Sequence, residues 1–98
     1  MKLKDFKWMT KKQHKSLVTE AGGQIILNFG NYDLSIIDDG YGGKQGLYEI
    51  CVFKDGDMKE LPGVTQEGDT IKGWLTESDV DAIINKMYFL TGTKPRQI

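Results

Sequence analysis

Residues 38–46, with the sequence DDGYGGKQG, place four glycines, two acids and one lysine between two apolar runs. A glycine-rich loop with a lysine can bind phosphate, because backbone N–H groups and the ammonium surround the anion. That pattern also requires Ser or Thr after the lysine and then a helix. Here Gln45 follows Lys44, and the next residues, LYEICVF, have the composition of a strand. The sequence therefore predicts a bend between two antiparallel strands, not a nucleotide site.

This glycine loop is longer than most hairpin connections, and a large side chain, Tyr41, lies in it. Long loops carry function more often than tight turns do. We therefore regard Tyr41 and Lys44 as candidate loop contacts.

The residue types needed for metal binding and catalysis are few. A zinc site requires three or four soft ligands, whereas the chain has only His14 and Cys51. Cys51 lies in an apolar run and is expected to be a strand residue, and Asp38 and Asp39 are expected to be solvated turn residues. We predict no enzyme activity, no catalytic or metal-binding residues and no cofactor.

Charge is distributed unevenly, although the net charge is −1. Residues 1–20 carry six lysines and two acids, and residues 38–81 carry eleven acids and four lysines. On a helix, the first region would place a tryptophan among lysines that can neutralise phosphates while the ring stacks on a base. This candidate basic contact face consists of Lys4, Trp8, Lys11, Lys12 and Lys15.

The acidic region is the second candidate contact surface. Its alternative interpretation is a set of solvated turns and helix-capping acids. As a functional surface it would complement a basic partner. This candidate acidic contact face consists of Asp55, Asp57, Glu60, Glu67, Asp69 and Trp74.

The elements that must position these residues begin with a predicted helix from about Asp5 to Ala21, ended by Gly22 and Gly23. A competing start lies at TKKQ, where Thr10 and Gln13 fit a capping box. Several strands follow, connected by turn-forming pairs at Gly30–Asn31 and Asp55–Gly56.

The last predicted element is a helix with Thr76 as its N-cap and Asp79 three residues later. Gly92 would end the helix, and one face would be covered by the apolar residues at helical spacing, Val80, Ile83, Ile84, Met87 and Leu90. The sequence thus predicts a single α+β domain over residues 1–98, with an N-terminal helix, an antiparallel meander of four to five strands and a C-terminal helix. Both helices are expected on one face of the sheet, and the tail is expected to fray from about residue 93.

No apolar run is long enough to cross a bilayer, and the start of the chain has no signal-peptide pattern. We therefore expect a cytoplasmic protein. A meander leaves edge strands exposed, so a homodimer through an edge strand is an open alternative.

Residues 46–87 resemble small uncharacterised accessory proteins of Gram-positive phages and mobile elements. The segments that carry the resemblance are GLYE, a polar hairpin and GWLTESDV. The resemblance implies an accessory protein that acts by binding a host or phage component, and it supplies no functional residues.

Together these observations predict a non-catalytic accessory protein that binds another protein, with inhibition of a defence or replication factor as one expected role. The alternative is a nucleic-acid-binding protein that uses the basic N-terminal helix.

Overall fold

A computed structural model of the chain describes residues 1–10 and 22–98. Within this part of the chain, one antiparallel sheet carries one α-helix, α1 (Glu77–Thr91). The strands are β1 (Met9–Thr10), β2 (Gly23–Phe29), β3 (Tyr32–Ile37), β4 (Tyr48–Lys54), β5 (Asp57–Met58), β6 (Ile71–Leu75) and β7 (Arg96–Gln97).

Two tight turns fix the register of the sheet. Gly30 has φ +83°, and the two-residue turn that it begins pairs Phe29 with Tyr32. Asp55 and Gly56 both have positive φ, 52° and 88°, as a type I′ turn requires. Both turns were predicted from their sequences.

The sheet has β3 at its centre, between β2 and β4. The outer edge of β2 pairs with β1 at one end and with β7 further along, and the outer edge of β4 pairs with β6 and β5 in the same way. The predicted antiparallel meander is therefore confirmed. Among the described residues the strand number is higher than predicted, because three of the seven strands have only two residues.

Helix α1 begins and ends where the sequence predicts. The Thr76 hydroxyl accepts a hydrogen bond from the Asp79 N–H at 3.1 Å, and the Asp79 carboxylate accepts one from the Thr76 N–H at 3.0 Å. Gly92 ends the helix with φ 65°. Leu90, expected on the buried face, is instead exposed.

Helix α1 covers one face of the sheet, and the core lies between them. Alternate residues of each central strand point to this side, as the period of a strand requires. The largest fully buried side chains are Ile25, Leu27, Phe29, Leu34, Ile36, Ile50, Val52, Val64, Val80, Ile84 and Met87.

The predicted N-terminal helix is wrong for the residues described. Leu3–Asp5 forms a single 3₁₀ turn, Phe6 is extended, and Met9 pairs with Gln24 in the sheet. The reason is tertiary: Leu3 is buried and its N–H donates to the Asp81 carboxylate of α1 at 2.7 Å. Contacts of this kind override a weak helical periodicity. The rest of the predicted helix and the competing helix, apart from its first residue, fall on residues 11–21, outside the described part.

The C-terminal tail also differs from its prediction. Arg96 and Gln97 pair with Asn28 and Leu27 of β2, and the Ile98 N–H donates to the Ile26 carbonyl at 3.0 Å. The tail is thus hydrogen-bonded to the sheet. Among residues 1–10 and 22–98, no helix combines the length and the apolar character needed to cross a bilayer.

Candidate binding site around Trp74

Trp74 lies in a β-bulge near the end of β6. Lys72 pairs with Ile50 and Leu75 pairs with Tyr48, so Gly73 and Trp74 together face one residue of β4, Glu49. A bulge of this kind redirects a side chain and is frequent next to functional sites. Trp74 has φ 59°, which is rare for a bulky residue, and 61% of its surface is exposed. The backbone therefore holds an indole toward solvent in a strained conformation.

The glycine loop packs on this bulge. The Trp74 N–H donates to the Tyr41 carbonyl at 3.0 Å, and the Tyr41 N–H donates to a Glu49 carboxylate oxygen at 3.3 Å. A Cβ atom at residue 73 would lie 2.5 Å from the Tyr41 Cβ, so only glycine permits this approach. The site therefore joins two segments that are distant in sequence.

The interior of the loop is closed by its own hydrogen bonds. The N–H groups of Gly43, Gln45 and Gly46 each donate to a carbonyl three residues earlier, at 2.9 to 3.0 Å. The Leu47 N–H donates to the Gly42 carbonyl at 3.0 Å. These four donors are not available to an anion. The interpretation as a strand-connecting bend is confirmed, since β3 pairs antiparallel with β4.

Three concave surfaces have Trp74 in their lining, and two of them are larger than the third. The first, which we call the loop groove, has a volume of about 530 Å³ and is lined by Asp38, Asp39, Gly40, Tyr41, Gly42, Gly43, Lys44, Gln45 and Trp74. The second, the helix groove, has a volume of about 420 Å³ and is lined by Gly63, Lys72, Gly73, Trp74, Leu75, Asp79, Ala82, Ile83 and Lys86. Trp74 forms the ridge between them.

Helix α1 carries a further exposed aromatic side chain beyond the helix groove. Phe89 is 85% exposed and follows Ala82 by seven residues, so both lie on one side of the helix. The rise of an α-helix separates them by about 10 Å along its axis. We call Tyr41, Trp74, Ala82 and Phe89 the aromatic surface.

The carboxylates around the site have structural roles. Asp38 accepts a hydrogen bond from the Gly23 N–H at 2.8 Å, and Glu49 holds the glycine loop through the Tyr41 N–H. The hydrogen bonds to Thr76 lower the pKa of Asp79. These acids act mainly as acceptors for backbone donors. The described residues contain no group of three or more His, Cys, Asp or Glu side chains that could hold a metal ion.

The candidate basic contact face is only partly described. The Trp8 ring stacks on Tyr48 with 5.7 Å between ring centroids, and the position that a Cβ of Gly23 would take lies 2.9 Å from the ring. Lys4 belongs to the 3₁₀ turn beside α1, so it shares no helix face with Trp8. Lys11, Lys12 and Lys15 lie outside the described residues.

The candidate acidic contact face divides into separate parts. Asp55 and Asp57 lie at the far end of β4 from Trp74, a distance of about 20 Å along the strand. Asp69 lies beside Trp74 and lines a third, smaller concavity with it. Glu60 and Glu67 line a fourth, and the Glu60 carboxylate accepts a hydrogen bond from the Gly68 N–H at 2.6 Å.

The structure brings together residues that the sequence assigned to different candidate surfaces. Tyr41 and Lys44 came from the loop and Trp74 from the acidic region, yet all three line the loop groove. Sequence reasoning missed Gln45, Lys86 and the exposed Phe89. A signal was present at residue 73, because an isolated glycine inside a strand indicates a bulge or a close backbone approach.

Comparison of the chain with protein-family models, with curated proteins and with solved structures finds no match. The resemblance to phage and mobile-element accessory proteins therefore stays a prediction.

Proposed function

We propose that this protein is a non-catalytic binding protein that recognises another protein through the aromatic surface. One observation carries the proposal: the bulge in β6 holds Trp74 at positive φ with most of its side chain in solvent. Such a conformation costs of order 1–3 kcal/mol for a residue other than glycine. A contact between the exposed indole and a partner would explain why tryptophan, and not glycine, stands at this position.

The composition of the surface favours a protein partner. Tryptophan and tyrosine are enriched among the residues that contribute most to protein–protein binding. Trp74 and Tyr41 are both more than 60% exposed, and Phe89 is the most exposed of the large apolar side chains described. Lysines and acids line the loop groove and the helix groove beside Trp74, as is usual for the rim of an interface.

The carboxylates support a binding role over a catalytic one. Asp38, Glu49 and Asp79 each accept a hydrogen bond from a backbone N–H group. In Asp79 the hydrogen bonds to Thr76 lower the pKa, whereas a general acid must carry a proton near neutral pH. The accessory role that the resemblance implies, including inhibition of a host or phage factor, is part of this proposal.

Affinity capture with matched variants tests the proposal. Wild type, Trp74→Ser and Met58→Ser would each be used as bait in a lysate of the organism that carries the gene. Met58 is 55% exposed at the turn end of β4, so its variant removes a similar apolar side chain away from the site. We expect a stoichiometric partner with wild type and Met58→Ser that is lost with Trp74→Ser. Equal capture by all three proteins, or no stoichiometric partner, would contradict the proposal.

A further inference from the structure

We propose that the helix groove binds a side-chain carboxylate, from a glutamate or an aspartate, of the protein partner. The inference rests on the proposed function, because the groove shares Trp74 with the aromatic surface, and it identifies the chemistry of one group that the partner contributes. The shape of the groove, its two lysines and the acids on either side of it support this assignment.

The helix groove lies between one side of α1 and the bulge in β6. Its helical wall consists of residues that share one side of the helix, at positions i, i+3, i+4 and i+7: Asp79, Ala82, Ile83 and Lys86. Gly73 in the strand wall has no side chain and Ala82 has a short one, which leaves room between Trp74 and the helix. The groove can therefore accommodate a side chain of the partner.

Lys86 places its ammonium inside this groove. A Cβ atom at residue 63 would lie 2.5 Å from the Lys86 Nζ and 3.1 Å from its Cε, so the end of the side chain lies against the Gly63 backbone. Gly63 and Lys86 both line the groove. Within the described part of the chain, no carboxylate forms an ion pair with the Lys86 ammonium. This cation therefore faces the groove without a compensating anion.

Lys72 supplies a second cation, and Asp79 offsets only one of the two positive charges. Lys72 is half-buried in β6 and lines the groove. The Asp79 carboxylate accepts the Thr76 N–H at 3.0 Å; its hydrogen bonds to Thr76 lower its pKa, and the charge of Lys72 acts in the same direction. Among the described lining residues, two lysines and one aspartate leave a charge of +1. One carboxylate would neutralise it.

The acids on both sides of the groove favour a single carboxylate over a polyanion. Asp69 lines the smaller concavity that also contains Trp74, and Glu60 and Glu67 line the one that shares Gly63 with the helix groove. A nucleic-acid strand carries a phosphate at every nucleotide and would meet these acids. One side chain reaches only the two lysines, and its aliphatic part can contact the exposed indole at the same time.

NMR titration of the full chain labelled with ¹⁵N, at low salt, tests the inference. The probe is the peptide acetyl-Gly-Leu-Glu-Leu-Gly-amide, and the matched control replaces glutamate with glutamine, which has nearly the same shape and no charge. We expect saturable shifts of the Trp74 indole N–H and of the amides of Gly63, Gly73 and Ala82 with the glutamate peptide, and an unchanged Trp8 indole signal. The glutamine peptide should bind at least roughly three-fold more weakly, as the loss of exposed ion pairs implies. This difference should shrink as salt is added.

Charge variants identify the groups that hold the carboxylate. Lys86→Gln and Lys72→Gln should each weaken binding of the glutamate peptide roughly two-fold, and together they should abolish its advantage over the glutamine peptide. Lys44→Gln removes the same charge from the loop groove, on the other side of Trp74, and should leave binding unchanged. Asp79→Asn should strengthen binding roughly two-fold, because it removes the acid from the lining of the groove. Loss of the helix cap alone would not strengthen it.

Three results would overturn the inference. They are equal binding of the two peptides, an effect of Lys44→Gln as large as that of Lys86→Gln, and tighter binding of octathymidylate than of the glutamate peptide. The substituted lysines are exposed or half-buried, so we expect each variant to fold, and retained dispersion of the amide spectrum would verify it.

The outcomes also distinguish this inference from the proposed function. A partner captured through Trp74 by a protein that ignores the glutamate peptide would leave the proposed function standing and reject the carboxylate site. Binding of the glutamate peptide without any captured partner would do the reverse.

Discussion

At the scale of the residue, the environment of each aromatic side chain decides its role. Both tryptophans are partly exposed, but Trp8 has its ring stacked on Tyr48 at an interplanar angle of 15°. Trp74 instead stands on a bulge as the wall of two grooves. The sequence places both rings in charged regions and cannot distinguish them, because the difference arises from strand pairing.

Replacement of Trp74 by glycine should raise the free energy of unfolding by up to about 1 kcal/mol while it removes partner binding. The gain comes from relief of the positive φ and is reduced by the lost contact with Gly42. Urea unfolding of Trp74→Gly and of wild type measures the difference in the free energy of unfolding. The control is Lys72→Gly in the same strand. Its free energy of unfolding should fall by roughly 1 kcal/mol, because Lys72 is not among the residues with positive φ and a glycine there relieves no strain. A similar decrease of the free energy of unfolding in both variants would show that Trp74 is not strained.

Cys51 should react slowly in the folded protein. Burial raises the pKa of its thiol, and the charge of Glu49 raises it further. Its contribution to stability is therefore complete below the pKa of the unfolded thiol and is lost as pH rises through the higher folded pKa. Rates of alkylation by iodoacetamide between about pH 7 and about pH 9.5, with and without urea, test this expectation. A folded rate equal to the unfolded one at each pH would contradict it.

At the scale of the element, local signals determine how well the sequence predicts the structure. Helix α1 was predictable because Thr76, Asp79 and Gly92 act on their own backbone neighbours. The N-terminal segment was not predictable, because the Leu3 N–H donates a hydrogen bond to the carboxylate of Asp81, which is 78 residues away. The two turns were predictable from residues that tolerate positive φ, whereas the bulge at Trp74 depends on the register with β4.

The cap of helix α1 should make a pH-dependent contribution to stability. Thr76→Ala should cost about 1 kcal/mol near neutral pH, because it removes the acceptor of the Asp79 N–H. The pKa of Asp79 is lowered by its hydrogen bonds to Thr76, so its contribution is present above the unfolded pKa and is lost as pH falls through the folded one.

Urea unfolding of Asp79→Asn at about pH 7 and about pH 3 measures that contribution. We expect a difference from wild type at the higher pH that shrinks at the lower one. Glu77→Gln removes a first-turn charge, and its effect should be smaller. If the free energy of unfolding of Asp79→Asn is lower than that of wild type by the same amount at both pH values, the ionised carboxylate of Asp79 does not stabilise the cap.

At the scale of the whole molecule, the two edges of the sheet are occupied differently. One edge holds β1 and β7, which are contributed by the two ends of the chain, and the other holds β5 and β6. The bulge interrupts β6, and a bulged or very short edge strand disfavours pairing with another chain. Dimerisation through an edge strand stays a prediction, and the aromatic surface offers an alternative contact.

Removal of residues 96–98 should destabilise the domain by roughly 1–2 kcal/mol, because it deletes backbone hydrogen bonds to β2 and the contacts of Gln97 with the Lys7 backbone. Lys94→Ala, an exposed neighbour, is the control. Urea unfolding together with hydrogen exchange at Asn28 would detect the change. Unchanged stability and exchange would instead favour the frayed tail expected from the sequence.

Nucleic-acid binding by the lysine-rich N-terminal region stays the alternative function. Since the Trp8 ring is stacked on Tyr48, we expect a flat titration with single-stranded DNA and RNA near physiological salt. Fluorescence anisotropy at several salt concentrations measures it. Affinity that falls steeply with salt and disappears in Lys11→Glu with Lys15→Glu would reverse the order of the two functions.

The hydrogen bonds between Lys7 and Gln97 tie the two ends of the chain to each other, on the edge of the sheet away from β6. A surface or bead attached through Ile98, whose N–H donates to the Ile26 carbonyl, would therefore face the β2 edge and leave Trp74 directed into the medium. The chain is also suited to circular permutation: a linker from Ile98 to Met1, whose carbonyl accepts a hydrogen bond from the Asn85 side chain on α1, would allow new ends at the Asp55–Gly56 turn. Such a permutant would present its termini about 20 Å along β4 from the loop groove, where a fluorophore could report on a bound partner.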